Sequence, residues 1–143
     1  MTPAALLMRR PGSAALGTSL EGAPYVSLVL TAPDSDGSPL LLLSDLAQHA
    51  RNIAADPRVS LLFDDTTGSA DPLTGARLTV VGMAARCDEP DALSRYVACH
   101  PSAERYAGFG DFSLYRVRVE RGHFIAGFGR IEWIGADRLL SAV

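Results

Sequence analysis

The sequence predicts a mainly β fold, a closed antiparallel barrel with helical decoration. Six or seven apolar stretches of strand length are separated by turn-forming residues. The two to four helical patterns are short inserts, and the βαβ alternation of a doubly wound nucleotide fold is missing. Hydrophobic residues make up 48% of 143 residues, enough for one buried core in a chain near the commonest domain size. One domain spanning residues 1–143 is therefore expected.

The elements follow in order. "MTPAALLMRRPG" predicts a short amphipathic helix over about residues 3–10, ended by Pro11-Gly12. Ser13 to Leu20 and Tyr25 to Ala32 predict strands joined by a turn at "EGAP". "PDSDGSP" is a second turn, with Asp36-Gly37 suited to positive φ. The run Leu40 to Ser44 reads as a buried strand, so the first three strands make a meander. "SDLAQHARNIAADP" predicts a helix capped by Ser44 or Asp45 and stopped before Pro57. On its wheel, Leu46, Ala50 and Ile53 fall on the buried side. Asp45, Gln48 and Asn52 fall on the wet side, with His49 and Arg51 at the borders.

"RVSLLF" is the next strand, followed by a polar loop from Asp64 to Gly75, long enough to act as a lid. Ala76 to Cys87 reads as a long strand with a bulge at Gly82. "DEPDALSRYVACHP" is a helix with Pro90 and acidic residues at its start and Pro101 at its end. Phe112 to Ile134 reads as two or three strands, in which Arg116 and Arg118 mark a wet face. A short helix after Gly135 is the last expected element.

Composition excludes several functions. Net charge is −3 with no Lys/Arg-rich run, which argues against nucleic acid and anionic membrane surfaces as partners. No apolar run approaches the ~20 residues of a membrane-crossing helix. The N-terminus has the reverse order of a secretory signal. Cys87 and Cys99 have neither disulfide-framework nor zinc spacing, so reduced thiols and a cytoplasmic location are expected. There is no GxSxG, HExxH or P-loop, and no catalytic residue is assigned. His49, His100 and His123 lack ligand spacing, so no metal site is expected from them. His100 reads as a helix-end residue, and His123 as an exposed histidine in a tight connection between strands. Gly127 and Gly129 allow the barrel to bend, or let a flat ligand or second subunit approach the backbone.

The segment Ser44 to Asn52 carries more hydrogen-bonding groups than solubility requires. A helix start offers free N–H groups and partial positive charge, suited to an anion. Ser44, His49 and Arg51 stand beside it, and Arg77 follows on a later strand.

The stretches "PYVSLV", "LLLLSDLAQHARNI", "DPRVSLL", "RLTVVG" and "GFGR" together resemble the pyridoxamine 5′-phosphate oxidase-like superfamily of FMN-binding split β-barrels. Within it the chain is similar to the haem-utilisation (HugZ-type) branch over roughly Leu6 to Trp133. The resemblance implies a six-stranded antiparallel split barrel that forms a homodimer, with flavin sites at the interface. It implies that Ser44, His49, Arg51 and Asn52 hold the phosphate end of FMN, and that Arg77 lies near the ring or ribityl chain. Ser27 and Ala32 stand where the vitamin enzymes carry an arginine and a lysine. Gln48 and His49 stand at their helix-start Arg-Lys pair. Ser27 and Gln48 remain in the expected cofactor-binding set, and FMN is expected to bind weakly because charge-assisted contacts have been lost. If a His49 imidazolium met the phosphate, FMN would tighten as pH falls from roughly 7.5 to 6. Pyridoxal phosphate synthesis is not expected. The branch's smaller C-terminal domain is expected to be absent, since the chain ends at Val143. Three functions follow as expectations. One is an FMN-dependent oxidoreductase with an unidentified small-molecule substrate. Another is a haem-binding protein without flavin chemistry, with His123 or His49 as the axial candidate. The third is a dimeric structural domain with a decayed site.

Overall fold

The computed structural model describes residues 1–127 and 129–141. Seven strands are present among them: β1 (Gly12–Leu20), β2 (Ala23–Pro33), β3 (Pro39–Ser44), β4 (Arg58–Asp65), β5 (Ala76–Arg86), β6 (Phe112–Ala126) and β7 (Ile131–Gly135). Their order is β3-β2-β1-β4-β5-β6-β7, and β3 also pairs with β6. That pairing closes β1 to β6 into a six-stranded antiparallel barrel and leaves β7 as an added strand beside β6. Five helices accompany them: α1 (Pro3–Met8), α2 (Gln48–Ala55), α3 (Pro90–Cys99), α4 (Glu104–Ala107) and α5 (Ala136–Leu139). This exceeds the two to four expected, because α4 and α5 are single turns. Short 3-10 turns add Pro72–Thr74 within the loop before β5 and Pro101–Ala103 before α4.

The alternation of each strand explains where the core sits. Leu16, Leu61, Leu78, Val80, Val117 and Phe124 point inward and fill the barrel. β3 is buried on both faces, which is why it reads as an unbroken leucine run. Leu41 and Leu43 join the barrel core, while Leu40 and Leu42 join a second cluster with Tyr96 and Ala92 of α3. Gly82 marks the bulge, where the β5–β6 register shifts. A Cβ there would run into the Arg118 carbonyl.

Arg116 is not simply a wet-face residue. It donates to Asp34 in the β2–β3 turn at 2.5 and 2.8 Å and to Glu89 at 2.9 Å. Arg95 of α3 donates to the same Asp34 at 2.7 Å. This cluster ties α3 to the barrel. At the other end, the Arg9 guanidinium donates to the carbonyls of Ala5, Asp36 and Leu139, joining α1, the β2–β3 turn and α5. No helix among the described residues is long and apolar enough to cross a membrane.

Candidate functional site

The barrel is split where β2 leaves β3. β2 pairs with β1 along the whole of that strand, but with β3 only through Thr31, Ala32 and Pro33. Before Thr31 the two strands part. Beside that gap lies a groove of about 280 Å³, walled by Leu28, Leu30, Leu42, Tyr106 and Phe112. The Tyr106 and Phe112 rings pack at 4.7 Å. Ser44, Ala47 and His49 of the β3–α2 connection complete its lining.

The α2 corner differs from its sequence reading. The helix begins at Gln48, and Ala47 at the cap position offers no side-chain acceptor. Ser44 and Asp45 therefore do not cap it. The Ser44 hydroxyl accepts from the Leu46 N–H at 3.2 Å and lies 3.4 Å from Asp111, so it organises the preceding turn. Leu46 precedes the helix, so wheel geometry does not govern it, and it is 72% exposed rather than buried. Asn52, expected on the wet face, is only 3% exposed. Its amide donates to Thr18 Oγ1 of β1 at 3.0 Å, and its oxygen accepts from Gln48 Nε2 at 2.7 Å. The buried Thr18 hydroxyl needs a partner, and Asn52 is the side chain that reaches it. Gln48 Oε1 in turn accepts from Arg51 at 3.2 Å.

His49 is half-buried, and its Nδ1 lies 3.0 Å from the Ser27 hydroxyl of β2. Burial pushes its imidazole below the ordinary histidine value. Burial thus disfavours the imidazolium that a phosphate contact would use.

Arg77 and His123 lie elsewhere, on the outer face of the sheet. Among the described residues, no hydrogen bond links either to the α2 corner. His123 is not in a connection between strands but inside β6, opposite Thr79 and Trp133. The neighbouring Gly122 lies inside β6 as well. Its missing side chain makes room for Leu78 and Leu139, which a Cβ would approach to 2.9 and 3.0 Å. The His123 ring stacks on Trp133 at 4.4 Å, and the Arg121 guanidinium lies 4.4 Å from the same indole. Arg77 stands between Asp64 and Ile125 on β5, and its Nε is buried with no hydrogen-bond partner among the described residues.

One row crosses this outer face. Leu28, Ala15, Leu62, Thr79, His123 and Trp133 stand side by side on β2, β1, β4, β5, β6 and β7. Leu28 is 76% and Trp133 53% exposed, so the row presents apolar side chains to solvent.

Sequence reasoning thus found Ser27, Ser44, Gln48, His49, Arg51 and Asn52, which the fold gathers at one corner. It missed Thr18, which lies 34 residues from Asn52. It also missed Tyr106 and Phe112, for which the aromatic-rich "RYAGFGDF" was the available signal.

Residues 4–126, which include the split strands and α2, match the sequence profile described as pyridoxamine 5′-phosphate oxidase. The chain belongs to this family. Its relatives within the pyridoxamine 5′-phosphate oxidase-like barrels include proteins named for haem. It is 39% identical over 112 residues to the chloroplast haem oxygenase HOZ of Arabidopsis thaliana, covering 75% of this chain and 33% of that protein. It is 29% identical over 134 residues to the haem oxygenase HutZ of Vibrio cholerae, covering 86% of this chain and 73% of that protein. A haem-binding protein from Mycobacterium smegmatis superposes with a TM-score of 0.86 at 30% identity, covering 97% of this chain and 61% of that one. The chain therefore spans a third of the Arabidopsis protein and about three fifths of the mycobacterial chain.

Within this family's barrel, a flavin phosphate at the α2 corner would meet the uncapped start of α2, the exposed Arg51 and a half-buried His49. A phosphate dianion needs converging cations or free donors. Here Gln48 Nε2 donates to Asn52, Arg51 gives one of its N–H groups to Gln48, and burial disfavours the cationic form of His49. The groove lining is largely apolar and aromatic and includes one imidazole, that of His49.

Proposed function

We propose that this protein binds haem in the groove between β2 and β3, and that it works as a homodimer whose second copy completes the cleft. The carrying observation is the groove itself: apolar and aromatic walls with a half-buried His49, whose neutral form burial favours, in its lining. A porphyrin is flat and mostly apolar, and its iron takes a neutral imidazole nitrogen. The names of the Arabidopsis, Vibrio and Mycobacterium relatives support the same ligand.

His49 is the axial candidate of choice. Its Nδ1 is engaged by Ser27, while Nε2 carries no hydrogen bond among the described residues. His123 is the second candidate, but its ring lies against Trp133. The apolar outer row is suited to a second copy, which would bring further side chains toward the groove. Arg77, whose Nε has no hydrogen-bond partner among the described residues, lies on β5 away from this groove and would meet a ligand there only from the second copy. Bound haem would supply a redox-active iron, suited to oxidative haem turnover. The residues of this chain would hold it, exclude water from one face and fix the ligand ring.

The FMN reading is the weaker one, because the relatives are named for haem and burial disfavours a cationic His49. A titration of the purified protein distinguishes the two. Haem is expected to give a shifted Soret band that is lost in His49→Ala and kept in His123→Ala. FMN fluorescence is expected to stay unquenched at pH 7. No Soret shift on haem addition would overturn the proposal.

A further inference from the structure

We infer that Ser27 is a positioning residue for the haem ligand, holding the His49 ring so that Nε2 is the nitrogen offered to iron. This role rests on the haem reading above. Its geometric basis is the 3.0 Å contact between Ser27 Oγ and His49 Nδ1. A neutral imidazole carries one proton, and the nitrogen that carries it cannot bind a metal. A hydroxyl can donate to a bare Nδ1 or accept from Nδ1–H, and in the second arrangement, the one this role requires, the Nε2 lone pair is free.

The two residues come from elements that do not move together by accident. Ser27 lies on β2, where its register against Leu16 of β1 fixes the backbone. His49 lies in the first turn of α2, whose following turn is held to β1 by the bond from Asn52 to Thr18. The imidazole is therefore held from both sides of the mouth of the barrel, by a strand and by a helix anchored to the next strand. Serine also suits the task chemically. A carboxylate at position 27 would favour the imidazolium and so compete with iron. An alanine would leave Nδ1 without a protein partner in a half-buried site. A hydroxyl can accept from the ring without adding charge.

The test compares wild type with Ser27→Ala and Ser27→Thr, using two readouts. In the ligand-free protein, long-range 15N–1H correlation reports which His49 nitrogen carries the proton. The wild type and Ser27→Thr are expected to carry it on Nδ1, and Ser27→Ala to move it toward Nε2. In haem titrations, Ser27→Ala is expected to bind about ten-fold more weakly, the lower end for loss of a partner to a metal-bound histidine. Its Soret band should also change shape, and Ser27→Thr should restore both. Thermal melts check that the variants remain folded. A normal wild-type Soret shift, with tautomer and affinity unchanged in Ser27→Ala, overturns the role of Ser27 alone. A wild type that gives no Soret shift overturns the haem reading and this role with it.

Discussion

At the scale of single residues, His49 and Asn52 show how burial changes what a polar side chain can do. Burial holds the folded-state pKa of His49 below its unfolded value, so the unfolded chain binds that proton more tightly. Protonation then favours unfolding. The contribution of a neutral His49 is full above the unfolded value of about 6.5 and is lost as pH falls through the folded value. Melting wild type and His49→Gln from pH 8 to 5 should give curves that diverge below about pH 6.5, with the variant less sensitive to acid. Parallel curves would remove His49 from the acid response. Asn52 carries a different cost. Removing its amide leaves Thr18 Oγ1 and Gln48 Nε2 short of partners. Asn52→Ala should lower unfolding free energy in urea by about 1–3 kcal/mol, the cost of stranding a buried polar group. Asn52 was legible as unusual for a surface helix, but its burial was not. Its partner lies on β1, and a helical wheel contains no information about a distant strand.

At the scale of elements, α3 is held by charge as well as by its apolar side. Burial opposes ionisation of Asp34. The Ser35 N–H and the guanidiniums of Arg116 and Arg95 outweigh it and keep the carboxyl below the ordinary aspartate range. This contribution to stability is therefore present above about pH 4 and lost as pH falls through the lowered value. Asp34→Ala should cost about 2–3 kcal/mol in chemical unfolding at pH 7, less than a fully buried pair because both arginines remain partly exposed. The loss should shrink in melts below pH 4. Proteolysis near α3 should also accelerate, since Asp34 links that helix to β2 and β6. Strands and helices were largely readable because alternation, prolines and turn residues act locally. The start of α2 was not, because Ser44 serves the preceding turn and the helix waits until Gln48. His123 was misplaced for a related reason. β6 runs unbroken through His123 because Gly122 beside it yields space to Leu78 and Leu139, a contact no local pattern shows.

At the scale of the whole molecule, two features come from contacts between distant residues. The pairing of Leu40 with Arg116 closes the barrel, and nothing local to either strand specifies it. The outer row from Leu28 to Trp133 is likewise assembled from six strands. Each strand contributes one unremarkable residue, and only the register aligns them. Folded monomers rarely present extended apolar patches, and a stable dimer buries about 1,200–2,000 Å². We therefore expect the purified protein to sediment as a dimer of 15.1 kDa protomers. Leu62 tests this cleanly, because it lies in the middle of the row, points outward and does not line the groove. A charge placed there would have to be desolvated on association, whereas in the monomer it would stay in water. Leu62→Glu should thus sediment as a monomer while keeping a cooperative melt. If the second copy completes the haem cleft, the same variant should bind haem at least about ten-fold more weakly, a loss of about 1.4 kcal/mol. A monomer with unchanged haem affinity would place the whole binding site in one protomer. A variant that remains dimeric would move the interface away from this face.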